Sequence, residues 1–156
     1  MLQNKRLTPA QALQKAKHYC AYQERSHAEV KDKLYAMGLW KNEVETILSQ
    51  LIEDDYLNEE RFAKMFAGGK FRMKQWGKVK IRYELKQRQV SEYNIKKAMK
   101  EINEEDYISS FNKLFDEKLQ LLKSEKNIPT RKRKLMDYLL QKGYERDVIM
   151  SKLNEL

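Results

Sequence analysis

The chain is 156 residues long with 41% hydrophobic and 35% charged side chains. That is enough apolar material for a folded core, and the length suits one domain or a few small modules. The formal charge of +9 points to nucleic acid, an acidic protein surface or an anionic membrane as attractors. No stretch approaches the ~18 consecutive apolar residues of a membrane span, and "MLQNKRLTPAQALQKAK" lacks the apolar centre of a signal peptide, so a cytoplasmic protein is expected.

Five glycines and two prolines punctuate the chain, and apolar residues recur at three and four, which predicts helices nearly throughout. Thr8-Pro9-Ala10-Gln11 reads as a capping box with proline in the first turn. The helix it opens carries Leu13, Ala16, Tyr19 and Cys20, the single cysteine, read as a small buried hydrophobe. Ser26-His27-Ala28-Glu29 opens the next helix, and Gly38 follows its end. Asn58, Ser91, Asn103 and Thr130 are further predicted caps, and Gly143 a further helix stop. "AGGK" at 67–70 lacks the spacing and downstream hydroxyl of a phosphate loop and is expected to break or bend a helix.

Aligned on Leu34, Leu85 and Leu139, the chain repeats itself. Four residues earlier stand Val30, Ile81 and Leu135. Five later come Leu39, Val90 and Tyr144, and ten later Val44, Ile95 and Ile149. Fourteen later are Leu48, Met99 and Leu153, and seventeen later Leu51, Ile102 and Leu156. An apolar, aromatic-bearing helix precedes each pair. The expectation is an all-α chain of three tandem three-helix repeats, 8–55, 58–102 and 103–156, forming an elongated, curved array. Each unit alone would bury little core, so neighbours are expected to lean on one another.

The charge is concentrated. Between Lys64 and Lys100 twelve basic residues face only Glu84 and Glu92, so this segment holds the whole excess, whereas Leu39–Phe62 is net acidic. In "KFRMKQWGKVKIRYELKQRQ" (70–89) Ile81 and Leu85 supply a buried stripe and the cations surround it. Lysines and arginines on a rigid helical face suit phosphates or carboxylates. Trp76, Phe71 and Tyr83 could stack on unpaired bases, although packing at a helix junction is the simpler reading of Trp76. The histidines His18 and His27 show no metal-ligand spacing, and the carboxylates of "EDDYLNEE" lack a calcium-loop pattern and read as helix ends. No cofactor, metal site or enzyme activity is expected.

"DYLNEERFAKMFA" (55–67) followed by "KFRMKQWGKVKIRYELKQRQV" (70–90) resembles the signature of the RecX family of recombination regulators. The likeness rests on Leu57, Asn58, Arg61, Phe62 and Ala63, then on Gly77, Ile81, Glu84 and Leu85. One departure is Gln89, where the family usually has glycine. Glutamine enters a left-handed turn only at steric cost, so a different closure is expected there. The resemblance implies a regulator that lodges in the RecA–single-stranded-DNA filament and limits its extension, ATP hydrolysis and strand exchange. It implies DNA as a direct partner too, single-stranded first and duplex second. Independently of the resemblance, no membrane partner is expected, and a monomer is expected. The residues expected to contact DNA phosphates or acidic recombinase surface are Arg72, Lys74, Lys78, Lys80, Arg82, Lys86 and Arg88, with Lys96 and Lys97 as a second row. Arg61 is expected to pair with a carboxylate near its helix start. The alternative is a stand-alone helix-turn-helix DNA binder whose 91–102 segment reads bases through Asn94, Lys96 and Lys97.

Overall fold

A computed structural model of the chain describes residues 6–156. Among these residues there are nine α-helices and no strand: α1 Pro9–Tyr22, α2 His27–Ala36, α3 Lys41–Glu53, α4 Glu59–Lys74, α5 Lys78–Gln87, α6 Glu92–Met99, α7 Glu104–Leu121, α8 Ile128–Lys142 and α9 Arg146–Leu153. None is long and apolar enough to cross a membrane. The chain packs as two compact units. One runs to Met65 and includes Leu85–Lys97; the other comprises Phe66–Glu84 and Ala98–Leu156. The middle triplet of helices is divided between them.

The first unit is built on α1, α2 and α3, whose core holds Ala12, Ala16, Cys20, Val30, Leu34, Val44, Ile47 and Leu51. Cys20 is buried as expected, and desolvation pushes its thiol pKa up. The Thr8 capping box forms, with Gln11 N–H donating to Thr8 Oγ1 at 3.2 Å and Thr8 N–H to Gln11 Oε1 at 3.0 Å. Ser26 accepts from Glu29 N–H at 3.1 Å, Asn58 from Arg61 N–H at 2.8 Å and Ser91 from Asn94 N–H at 3.3 Å. The second unit packs α7, α8 and α9 around Tyr107, Phe111, Leu114, Phe115, Leu135, Leu139 and Tyr144.

Two expectations about helix caps and breaks fail. Thr130 does not cap α8. Asn127 does, accepting from Thr130 N–H at 3.0 Å, because Pro129 fits the first turn, where no amide donor is needed. "AGGK" does not break its helix either: α4 continues through Gly68 and Gly69 to Lys74.

The turn after the second helix of each triplet is closed the same way three times. Gly38, Gln89 and Gly143 occupy one repeat position with φ of 85°, 61° and 98°. Their N–H groups donate three residues back, to Tyr35, Lys86 and Leu140 carbonyls at 3.0, 2.9 and 3.0 Å. Gln89 therefore accepts the left-handed conformation instead of a different closure. The surrounding hydrogen bonds and the buried Val90 impose the turn on a side chain that disfavours it. Gln89→Gly is expected to raise stability by about 0.5–1 kcal/mol, seen as a higher denaturant midpoint at unchanged slope.

His27 opens α2, and its Nε2 is buried with no hydrogen-bond partner among the described residues. Desolvation holds its pKa below the ordinary imidazole value, against a weaker opposing pull from Glu59. The unfolded chain thus binds more protons at this residue than the fold does. Stability contributed here is complete above about pH 6.5 and declines as the pH falls from there toward the depressed folded value. Denaturation midpoints should fall between about pH 7 and pH 5, and His27→Gln should flatten that part of the profile.

Candidate functional site

The densest charge begins where α4 ends and α5 starts, and backbone contacts within the second unit fix that corner. Gln75 turns the chain with φ 58°. Gly77 N–H donates to the Lys142 carbonyl at 2.8 Å and Val79 N–H to the Gly143 carbonyl at 2.9 Å, while Lys78 N–H donates to Tyr107 Oη at 2.9 Å. Three free amides at the start of α5 are thus satisfied by the carbonyls of Lys142 and Gly143, at the end of α8, and by one phenol. The approach requires glycine on both sides. A Cβ on Gly77 would lie 2.3 Å from Gly143 C and O, and one on Gly143 would lie 2.2 Å from Lys80 Cβ.

Side chains brace the same corner. Tyr107 Oη donates to Glu145, and Tyr144 Oη donates to the Gln75 carbonyl at 3.0 Å. Burial, then the Glu145 carboxylate, pushes the Tyr107 pKa far up, so the phenol stays protonated and donating. Lys78 Nζ pairs with Glu104 at 2.7 Å and sits 4.4 Å from the Tyr107 ring centroid.

The nine expected cations fall into two groups. Arg72, Lys74, Lys78, Lys80 and Arg82 belong to the second unit; Lys86, Arg88, Lys96 and Lys97 belong to the first. In the second unit Arg72 and Lys74 are exposed and Arg82 half-exposed. The Arg72 guanidinium lies back along α4, with Nη1 2.8 Å from where a Gly68 Cβ would stand. Lys80 Nζ is 4.6 Å from the Trp76 ring centroid and Lys70 Nζ 5.1 Å, while Phe66 meets the same indole edge-on at 6.2 Å. Trp76 is therefore a packed junction residue that stays half-exposed, whereas Tyr83 is 59% exposed.

In the first unit Lys86 lies 3.7 Å from Glu92, Arg88 is half-exposed and Lys96 is exposed. Lys97 is engaged internally, 3.4 Å from Glu60 and 4.5 Å from the Tyr93 ring centroid. Hydrogen bonding to Tyr93, aided by Glu60, raises its pKa. The neighbouring acids are spent on the fold. Glu59 accepts from Ser91 Oγ at 2.9 Å and Asn94 Nδ2 at 2.6 Å, Glu60 also pairs with Lys64 at 3.2 Å, and Arg61 bridges Glu24 and Asp55.

Sequence reasoning missed Lys142 and the Tyr107–Glu145 pair. Lys142 Nζ reaches the Lys74 carbonyl at 3.2 Å, and only the corner described above places it beside the basic segment; no local signal marks it.

Residues 58–99 match the family model of the second three-helix domain of RecX, and residues 104–153 that of its third. Regulatory protein RecX from Bacillus cytotoxicus is 29% identical over 138 residues, which are 88% of this chain and 51% of that protein. The chain thus spans about half the length of that relative. Regulatory protein RecX from Prosthecochloris aestuarii is 29% identical over 145 residues, 93% of each chain. The crystal structure of RecX from Lactobacillus salivarius aligns with TM-score 0.81 and 19% identity over 95% of this chain and 97% of that one. A second crystal structure, of regulatory protein RecX, gives TM-score 0.83 and 20% identity over 95% and 72% of the respective chains. At such identities the two structures speak for the fold alone.

Proposed function

Because the chain belongs to the RecX family of regulatory proteins, we propose that it binds the RecA–single-stranded-DNA filament and restrains its extension, ATP hydrolysis and strand exchange. The observation that carries this reading is the surplus of basic side chains along α4, α5 and α6. Nearby Glu59, Glu60 and Asp55 are already held by Ser91, Asn94, Lys64, Lys97 and Arg61. The uncompensated charge of Arg72, Lys74, Lys80 and Lys96 is directed at polyanions outside the chain, and exposed Lys86 joins them while pairing loosely with Glu92 at 3.7 Å. Lys78, Arg82, Arg88 and Lys97 add to the field while making contacts within the fold. Several weak contacts on one protein gain from effective concentration once the first is made.

A stand-alone helix-turn-helix reader is the weaker reading. Of its candidate base-reading residues on α6, Asn94 donates to Glu59 and Lys97 is occupied by Glu60 and Tyr93. Only Lys96 projects unengaged among the described residues. Phosphate contact without base reading follows.

The test is ATP hydrolysis by RecA on single-stranded DNA with substoichiometric protein. Inhibition is expected, and its absence with a helical, folded sample would overturn the reading. Binding to DNA alone should be weak and insensitive to sequence. Neutralisation of about six phosphates on a single strand gives a slope of log K against log salt near −4. A sharp preference for one duplex sequence would favour the helix-turn-helix alternative.

A further inference from the structure

Within the second unit Trp76, Lys80, Tyr138, Gln141 and Lys142 line a surface cavity of about 290 Å³. We propose that this cavity receives one unpaired nucleobase, stacked on Trp76, with its phosphates held by Lys80 and Lys142. The inference rests on the filament reading above and deepens it, because it names the part of the strand that one site takes up.

The lining carries the argument. It contains no carboxylate, so nothing in it repels a phosphodiester. It has two aromatic rings, one of them an indole already flanked by the ammonium groups of Lys70 and Lys80. Flexible lysine stems allow those groups to move onto phosphate oxygens and leave the ring to a base, an exchange of one electrostatic partner for a stronger one. Gln141 is exposed, and its amide offers both a donor and an acceptor to a base edge.

The volume lies at the small end for ligand pockets, which suits a single planar group. A duplex keeps its bases stacked inside and presents none to such a site. Stacking on aromatic side chains is tolerant of sequence, so the pocket is compatible with a strand gripped without base reading. It also explains why a tryptophan at a helix junction is left half-exposed between lysines. An acidic peptide would satisfy the lysines alone and leave the indole and the amide unused.

The chain has two tryptophans, so Trp40→Phe leaves Trp76 as the sole indole reporter. Titration at fixed salt with a thymidine oligomer is expected to quench it to saturation. An abasic strand of the same length, a duplex and an oligoglutamate peptide are expected to quench little. Trp76→Leu should weaken the thymidine oligomer roughly tenfold while leaving the abasic strand unchanged. Gln141→Ala, at an exposed position, supplies a second variant with the same selectivity should Trp76→Leu unfold. Equal affinity for thymidine and abasic strands without quenching, equal quenching by oligoglutamate, or no binding of either strand would overturn the pocket. RecA inhibition measured on the same samples separates the two ideas: inhibition retained without any base preference sinks the pocket alone, and inhibition absent sinks the filament reading.

Discussion

Gly77→Ala is expected to be, with Gly143→Ala, among the most damaging single-methyl substitutions in the second unit, costing about 3 kcal/mol or more. The added Cβ would stand 2.3 Å from Gly143 C and O and 2.4 Å from Tyr144 N, all backbone atoms with no rotamer to yield. Relief requires the start of α5 to withdraw from the end of α8. That withdrawal would strain or break the Gly77–Lys142 and Val79–Gly143 hydrogen bonds of 2.8 and 2.9 Å. Gly69 is the control, because a Cβ there meets nothing within 4 Å and the residue lies inside α4. Gly69→Ala should therefore stabilise, by about 0.5–1 kcal/mol, through helix propensity. Denaturant titration of the pair followed by far-UV circular dichroism reads both signs. Equal stabilities for the two variants would show that the α5–α8 contact is not the constraint described.

Reversing Lys74, Lys86 and Lys96 to glutamate is expected to abolish most affinity for single-stranded DNA while leaving helicity intact. All three side chains are exposed. Lys78 is the poorer choice although it lies in the same segment, since it pairs with Glu104 and covers Tyr107. Its reversal would place a carboxylate beside Glu104, now 2.7 Å from the lysine, and confuse lost binding with lost stability, whereas the Lys86–Glu92 pair is looser, at 3.7 Å, and more exposed on the lysine side. With three of about six phosphate contacts removed, the single-strand salt slope should drop from near −4 to about −2, and repulsion from the new carboxylates should lower affinity further. A variant whose slope stays at the wild-type value would remove these residues from the binding surface.

The helical periodicity made most of the core legible in advance. Val30, Ile81 and Leu135, like Leu34, Leu85 and Leu139, are all fully buried, and the positions five and ten residues later are buried in all three copies. Repetition reveals such positions because each triplet must bury the same faces. It misleads at the chain's last helix: Leu156 matches Leu51 and Ile102 in sequence but is 52% exposed, since α9 ends at Leu153. The charge density of 70–89 was equally plain, but not its division between two compact units, because charge counting carries no tertiary information. Gly77 was legible as a corner and Lys142 was not. The carbonyls that cap α5, the Tyr107–Glu145 brace and the lysine that completes the Trp76 cavity all come from residues far along the chain.

ATP hydrolysis by RecA on single-stranded DNA, measured with the wild-type chain and with the Lys74, Lys86 and Lys96 reversal at equal substoichiometric amounts, bears most directly on the central claim. The wild type should suppress turnover and the reversal should leave it near the uninhibited rate. Equal suppression by both folded proteins would show that inhibition does not pass through the basic helices, and suppression by neither would remove the recombinase filament as the target.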